Sequence, residues 1–592
     1  MVIYAWSIIT KGVVIVRLKP RSTAFNLIVS ILVVAVLLIP VNTSRAYHHH
    51  DSMIKWREYG AAAFEEARRT GKPVFMVISA IWCYNCHIYM EKTLETRDIS
   101  AYINENYIPV FVDYDRRKDV ARSYPAGGIP ITIIIAPTGE ELVSVPGYIE
   151  KEVLSGNLRK TVDYVKQEFK PGEAKETRKP QKGPGVTLPT SEGLKGYLSA
   201  FEKMIDAEFD AAYGGFGAAQ KLVHSEKLQR ILYISEGGKN REWLDKFRNT
   251  ADHMAGLRQK KVDRKRPSFK ELLSLRERER TALEEVDRLQ VEDRVIGIYD
   301  PVEGGFFRYA TKRDWSSPHF EKMLMENAEV AALFLDGYRV TRDKKYMDIA
   351  KRSLDYILHT LYDDGDGRFL GSQDADEVYY HFTAEERKKV APPRVDRTTY
   401  TASHARAVIT MFRASDILKD ERYKKAGLKG ISFIEKALMS NEGVLSFYDA
   451  DKKMGLINGQ LEDNTWAALA FLNAYEATKD NRYLERADVI IKFAVERLYD
   501  KDNGGFFERR STSREFYRET ELFLDSKPDD LNGLMAYALI MAAKITGSKD
   551  FLKKADETVG HFTMRFAAGN LNTVEPHMHR AAQAIIESGR YK

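Results

Sequence analysis

Apolar residues recur along the chain with two different periods, and the change of period marks a change of architecture. Two runs are continuous and rich in β-branched residues, Val74-Phe75-Met76-Val77-Ile78-Ser79 and Ile131-Thr132-Ile133-Ile134-Ile135. Each reads as a buried strand. Downstream of Leu188 the spacing is helical: Ala467, Leu469, Ala470, Leu472 and Tyr475 trace a helix buried on two sides. The pattern predicts helices at about 192–206, 224–236, 241–257, 319–340, 344–361, 401–417, 421–438, 462–478, 482–498, 528–546, 549–566 and 576–589. Between the two regimes, Lys170-Pro171-Gly172 through Lys182-Gly183-Pro184-Gly185 has no apolar period and reads as a linker.

A weak repeat runs through the helical part. Thr341-Arg342-Asp343-Lys344-Lys345-Tyr346 resembles Thr478-Lys479-Asp480-Asn481-Arg482-Tyr483, with related forms around Tyr423 and Phe551. Each copy is a short turn between two helices, whereas the intervening connections are long and several carry a tag: Gly214-Gly215-Phe216, Gly304-Gly305-Phe306, Gly367-Arg368-Phe369 and Gly504-Gly505-Phe506. Antiparallel helices with alternating short and long links gather every long loop at one end. Six such hairpins close into an (α/α)6 toroid, with the inner helices starting at the long-loop end. The predicted organisation is a signal peptide or anchor at 1–46, an α/β domain at 47–169, a linker at 170–188 and the toroid at 189–592, interrupted by a charged helical insertion at about 258–294. That insertion, typified by Arg276-Glu277-Arg278-Glu279-Arg280, reads as a solvated arm.

The chain has two cysteines, Cys83 and Cys86, between the first apolar run and a helix-like stretch from His87 to Thr96. A Cys-x-x-Cys at a helix start puts the first sulfur at the positive end of the helix dipole and favours its thiolate. Gly128-Ile129-Pro130 directly before the second run completes the pattern of a thioredoxin-like redox domain. A closed zinc site needs four ligands, and there is no second cysteine pair. Cys83, more exposed at the helix start, is expected to attack, and Cys86 to resolve. Pro130 belongs to the same site, with Trp82 and Ile129 contacting substrate. No metal and no cofactor is expected beyond a redox-active Cys83–Cys86 disulfide. The expected partners are protein thiols or disulfides.

Residues 11–46 look like an export signal: Lys11, Arg17, Lys19 and Arg21 precede an apolar stretch from Leu27 to Val41, with cleavage expected after Ala46 or the segment kept as an anchor. Membrane contact is expected only through this segment. The rest would lie in the periplasm or outside the cell, where having no other cysteine avoids mispairing. Tyr47-His48-His49-His50-Asp51 reads as a solvated tail. A net charge of +6 with 30% charged residues is a mixed surface and argues against a nucleic-acid partner.

The long-loop end of the toroid collects carboxylates, histidines and aromatics. Expected to act there are His319, Glu321, Asp374 and Asp376, with Phe216, Tyr309, Trp315, His404, Trp466 and Asp525 binding substrate. His319 and Glu321 are placed at the start of an inner helix. Carboxylates with aromatic platforms suit a carbohydrate ligand. Any single loop-end aspartate, Asp463 or Asp530 for example, reads rather as a helix cap, whereas the set as a whole reads as a ligand pocket.

Cys83-Tyr84-Asn85-Cys86-His87, Val112-Asp113-Tyr114-Asp115-Arg116-Arg117, Gly127-Gly128-Ile129-Pro130, Trp315-Ser316-Ser317-Pro318-His319-Phe320-Glu321-Lys322-Met323-Leu324 and Gln373-Asp374-Ala375-Asp376 together resemble the spermatogenesis-associated protein 20 family. That resemblance implies a thioredoxin-like domain joined to a six-hairpin glycosidase-like domain from about Lys55 to the end. It implies no settled substrate. Two departures are visible: Thr401-Ala402-Ser403-His404 replaces the family's Trp-Asn-Gly, and Val77 stands where thioredoxin has a buried aspartate, leaving His87 or Glu91 as its replacement. Three readings follow: an exported thiol–disulfide oxidoreductase whose toroid binds a carbohydrate or protein, a carbohydrate-active epimerase or hydrolase with a regulatory thioredoxin domain, and a non-catalytic adaptor.

Overall fold

Val74 to Ser79 are buried along the whole strand, which is why that run shows no alternation. In this computed structural model, residues 52–124, 127–167, 185–258, 267–278, 297–509 and 526–591 are described. The expected signal, the histidine tail, Asp525 and most of both the linker and the insertion lie outside them. Met53–Lys592 form one compact unit.

The first domain is a five-stranded sheet of β1 (Arg57–Glu58), β2 (Val74–Ser79), β3 (Ile108–Asp113), β4 (Ile131–Ile135) and β5 (Glu141–Pro146), ordered β1-β3-β2-β4-β5. β2 is parallel to β3 and antiparallel to β4. Five helices accompany it: α1 (Ala61–Thr70), α2 (Tyr84–Tyr89), α3 (Arg97–Asn106), α4 (Lys118–Ala121) and α5 (Lys151–Gln167). Phe64 and Ala67 of α1 pack on one face of the sheet, against Met76, Ile78, Val110 and Ile133. This is a thioredoxin-like fold.

The second domain is an (α/α)6 toroid. Its helices are α6 (Ser191–Glu208), α7 (Ser225–Ile234), α8 (Arg241–Met254), α9 (Phe269–Arg278), α10 (Leu324–Thr341), α11 (Lys344–Thr360), α12 (Thr401–Leu418), α13 (Glu421–Phe433), α14 (Leu461–Thr478), α15 (Asn481–Arg497), α16 (Asp529–Thr546), α17 (Lys549–Ala567) and α18 (Pro576–Glu587). α7, α10, α12, α14, α16 and α18 form a closed inner ring, each touching the next and α18 returning to α7. α8, α11, α13, α15 and α17 back them, and the first helix, α6, closes the outer layer against α17 and α18.

The repeat has a physical basis at both ends. At the short turns, Arg342, Lys419, Lys479 and Gly547 take the left-handed conformation that ends an inner helix. The next residue, Asp343, Asp420, Asp480 or Ser548, caps the outer helix by accepting a backbone N–H. At the long-loop end, Lys221, Lys322 and Lys527 each donate to an aspartate, Asp210, Asp300 or Asp500, at 2.8, 2.7 and 2.6 Å. The same ammonium groups reach the carbonyls of Gly217, Gly304 and Gly504. A Cβ on Gly304, at φ 80°, would stand 2.4 Å from the Arg352 carbonyl oxygen, so the tag glycine allows close packing.

A third element of the device is the fourth residue of the inner helix. Asn327 and Asn532 exchange hydrogen bonds with both backbone groups of Phe306 and Phe506. His404 stands at that position in α12: its Nδ1 accepts from the Phe369 N–H at 3.1 Å, so Nε2 carries the proton donated to the Gly430 carbonyl at 2.9 Å.

Two expectations need correction. His319 and Glu321 do not begin an inner helix. Pro318–His319 pairs as a short strand with Tyr309–Ala310, Lys322–Met323 pairs with Ser372–Gln373, and α10 starts at Leu324. The extended path lets Lys322 reach Asp300. The insertion is not wholly solvated either: in α9, Leu272 is fully buried, and Arg276 bonds Asp376 and the Ala391 carbonyl.

Candidate functional site

Cys83 is the residue before α2, and its sulfur accepts the Cys86 backbone N–H at 3.3 Å. The two cysteines form a disulfide. The Cys83 Sγ lies 3.8 Å from the Ile129 carbonyl oxygen, and the Ile129–Pro130 peptide is cis. Strand β2 delivers the pair to the end of the sheet, and the loop before β4 brings Ile129 against it.

The toroid covers this end of the sheet. Met323 packs on the cluster of Trp82, Cys83 and Cys86, and the Arg308 guanidinium sits 4.2 Å over the Trp82 ring. Cys83 is 5% exposed and Cys86 1%. Cys83 is the more exposed of the two, as expected, but the long-loop end of the toroid encloses both sulfurs. Charges hold the enclosure. Arg122, just after α4, bonds Glu462 at 2.9 Å and also Glu508, while Arg116 bonds Asp449 and Thr398. Asp119 meets Arg509 at 2.5 Å. Although Glu462 is buried, Lys118, Arg122 and Arg406 hold its carboxyl well below the usual range.

Several expected site residues share this junction. Tyr309 stacks on His319 at 4.4 Å, and His319 Nδ1 lies 3.7 Å from Glu321 Oε2. Burial, and then Glu321, push the Asp374 carboxyl well up. Two further carboxylates, Asp113 and Asp115, stand at and just past the end of β3. Trp82 Nε1 donates to Asp115 at 2.5 Å; burial raises Asp115, and burial with Asp115 raises Asp113 to about 7. Val77 is fully buried and His87 Nε2 is 2.7 Å from the Ile81 carbonyl oxygen.

Other expected site residues are structural. Trp315 is fully buried and donates to the Tyr213 carbonyl, Phe216 is buried in the core, and His404 is the backbone clamp described above. Asp376 accepts from the Val378 and Tyr379 N–H groups and from Arg276, so its oxygens are already engaged. Each was chosen for its chemistry at a loop end, and each uses it within the fold.

A second locus lies inside the ring. A cavity of about 230 Å³ is lined from all six inner helices, by Glu226, Glu329, Arg406, Trp466, Tyr537 and His577 among others. Glu329, Arg406 and Trp466 are each the sixth residue of their helix, so equivalent positions converge there. Arg406 Nε is 2.8 Å from Glu329 Oε1, and its guanidinium lies 4.0 Å over the Trp466 ring. Burial, then Glu226, raise Glu329 well above the carboxylate range, and burial lowers His577 to about 4. Trp466 Nε1 is buried with no hydrogen-bond partner. A carboxyl shifted upward by burial, an imidazole and a flat ring in one small cavity can bind a polyhydroxylated ligand and move a proton. The signal for this cavity in the sequence is a charge inside an apolar helix, Glu329 or Arg406. Among the described residues no group of three or more His, Cys, Asp or Glu is arranged to hold a metal, and no helix is long and apolar enough to cross a membrane.

Fold and site define a two-domain protein, a thioredoxin-like domain seated on a six-hairpin toroid. The family model Thioredox_DsbH, described as a protein of unknown function, DUF255, matches residues 38–180. Spermatogenesis-associated protein 20 of Mus musculus is 26% identical over 377 residues, 59% of this chain and 43% of the mouse protein. The matched stretch thus spans under half of that relative. Uncharacterized protein B0495.5 of Caenorhabditis elegans is 23% identical over 585 residues, 88% of this chain and 73% of that protein. The similarity to spermatogenesis-associated protein 20 implied by the motifs is present. Among solved structures, cellobiose 2-epimerase from Bacillus thermoamylovorans B4167 overlaps with a TM-score of 0.47 at 11% identity, covering 67% of this chain and 100% of that one. A sugar epimerase from a ruminal bacterium gives 0.48 at 12%, covering 67% and 98%.

Proposed function

We propose that the chain is an exported thiol–disulfide oxidoreductase that works through Cys83 and Cys86, with a toroid that binds a carbohydrate or a protein partner. The observation that carries this reading is the Cys83–Cys86 disulfide at the start of α2, with the Cys83 sulfur 3.8 Å from the Ile129 carbonyl. The helix terminus stabilises a Cys83 thiolate once the bond is reduced, which makes Cys83 the attacking sulfur and Cys86 the resolving one. The chemistry needs no cofactor. Cys86→Ser is expected to trap mixed disulfides through Cys83, and Cys83→Ser to trap none; equal trapping by both would defeat the assignment.

Export rests on residues 11–46. N-terminal sequencing of the mature protein should read from Tyr47, and retention of Met1 in the membrane fraction would favour an anchor instead.

A second reading, a carbohydrate-active enzyme, is favoured by one observation: Glu329, Arg406, Trp466 and His577 meet in a single cavity. Under it Glu329 and His577 carry the protons and Trp466 takes a sugar face. Turnover of a sugar that disappears in Glu329→Gln while the disulfide still cycles would establish this reading beside the first.

A further inference from the structure

We propose that the junction around Cys83–Cys86 is a binding site for a low-molecular-weight aminothiol carrying a carboxylate, a cysteine-like compound, as the immediate electron donor to the disulfide. This deepens the thiol–disulfide reading and rests on it.

Access is the first argument. With Cys83 5% exposed and Cys86 1%, a folded partner does not reach the sulfurs while the domains are seated. The surrounding residues Ile81, Ile129, Arg308, Tyr309 and His319 are half-buried, so the rim of the junction touches solvent.

Charge is the second. Arg308 has no carboxylate within ion-pair distance among the described residues. Its guanidinium is fixed between the rings of Trp82 at 4.2 Å and Tyr309 at 5.7 Å, and its backbone N–H donates to the His319 carbonyl at 3.2 Å. Its charge acts on Glu326 and Asp115 from a distance, and with no carboxylate in ion-pair contact among the described residues the guanidinium can take a ligand carboxylate.

The carboxylates are the third. Glu321 is 2% exposed, and its Oε2 makes no hydrogen bond, the His319 Nδ1 standing off at 3.7 Å. Glu326 Oε2 is likewise buried and unpartnered. Lys322 turns into the toroid to Asp300, so by alternation Glu321 and Met323 share the opposite face, and Met323 packs on the cysteine cluster. Asp115 and Asp374 lie among them as further carboxyl groups, both pushed up by burial. Orphaned acceptors in that setting suit an ammonium group. A zwitterionic thiol matches both: carboxylate to Arg308, ammonium to Glu321 and Glu326, sulfur toward Cys83.

The reaction balances with two thiols. The first thiolate attacks Cys83 Sγ, the Sγ–Sγ bond breaks, and Cys86 leaves as a thiolate that takes up a proton. The second thiolate attacks the donor sulfur of the mixed disulfide, releasing Cys83 thiolate and the donor disulfide. Two electrons enter the protein, and two thiols are oxidised to one disulfide.

The test uses the oxidised full-length protein and four thiols: L-cysteine, cysteamine, 3-mercaptopropionate and 2-mercaptoethanol. Rates are corrected for thiolate fraction. L-cysteine is expected to saturate and to exceed 2-mercaptoethanol at least tenfold. Arg308→Gln should bring L-cysteine down to the cysteamine rate, with Arg308→Lys restoring part of it. Glu321→Gln with Glu326→Gln should bring it down to the 3-mercaptopropionate rate. Circular dichroism selects the variants that fold, and the wild-type rate order alone decides if none does. Corrected rates that are equal and unsaturating overturn the aminothiol site and leave the redox reading standing. A protein dithiol such as reduced thioredoxin outrunning every small thiol overturns it too. A native disulfide that no thiol reduces overturns both readings.

Discussion

Arg308 stacks on Trp82 at 4.2 Å, so a loop of the toroid lies on the residue immediately before the first cysteine of the disulfide. Chemistry at the disulfide is therefore tied to the seating of one domain on the other. Ion pairs from Lys118 and Arg122 to Glu462 join the two domains at this junction.

Arg122→Ala removes the bonds to both Glu462 and Glu508. A loss of about 1.4 kcal/mol in the closed state raises the open population roughly tenfold. Alkylation of the reduced protein by a bulky maleimide should speed up by about that factor, while a small haloacetamide gains less. Identical rates in wild type and variant would mean that the junction does not limit access.

His404 occupies the position that asparagine fills in α10, α14 and α16. Asparagine there can still accept the Phe369 N–H, but it leaves the Gly430 carbonyl without its donor. His404→Asn should cost about 1 kcal/mol and His404→Ala about 2–3 kcal/mol in urea unfolding, because alanine orphans both buried backbone groups. Equal losses would contradict the clamp.

The same residue predicts a pH effect with a definite sign. Burial lowers His404 to about 4 from 6.5, so between those values the unfolded chain binds the extra proton. The stability that His404 contributes is present above pH 6.5 and is lost as pH falls toward 4. Asp463 and Glu575, raised to about 7 by burial first, work in the opposite direction but do so equally in the variant. Relative to His404→Asn, wild type should lose on the order of 2–3 kcal/mol between pH 7 and pH 4.5, making the variant the more stable protein in acid. A constant difference across that range would sink the assignment.

Helices and strands were legible because burial writes its own period into the chain: α14 and β2 are apolar where they are enclosed. Local rules failed where a distant partner decided the outcome. Lys322 reaches back to Asp300 and draws His319 and Glu321 out of helical geometry. Arg122 and Glu462 are 340 positions apart, so nothing near Cys83 in sequence announces that the disulfide is covered. Loop-end residues such as Trp315 and Asp376 looked chemical and were consumed by the fold. Glu329, a lone charge among Val330, Ala331 and Leu333, looked incidental and lines the cavity.

Trp466 gives the sharpest test of that cavity. Its ring lies under Arg406 and edge-on to His577 at 6.1 Å, while its Nε1 is buried and makes no hydrogen bond. A donor in that state is available to a ligand oxygen and contributes nothing to the free protein. Trp466→Phe keeps a smaller aromatic face and loses the N–H with the rest of the pyrrole ring, and because Trp466 is only half-buried the melting temperature should change little. Affinity for an aldohexose that fills the cavity should fall at least fivefold, since the lost hydrogen bond alone is worth roughly 1 kcal/mol. Trp466→Ala, which also removes the stacking face, should abolish measurable binding. Titration calorimetry with a panel of aldohexoses reads both effects. No heat from any sugar with the wild type, or equal affinity in wild type and Trp466→Phe, would remove the carbohydrate reading and leave the disulfide as the working site.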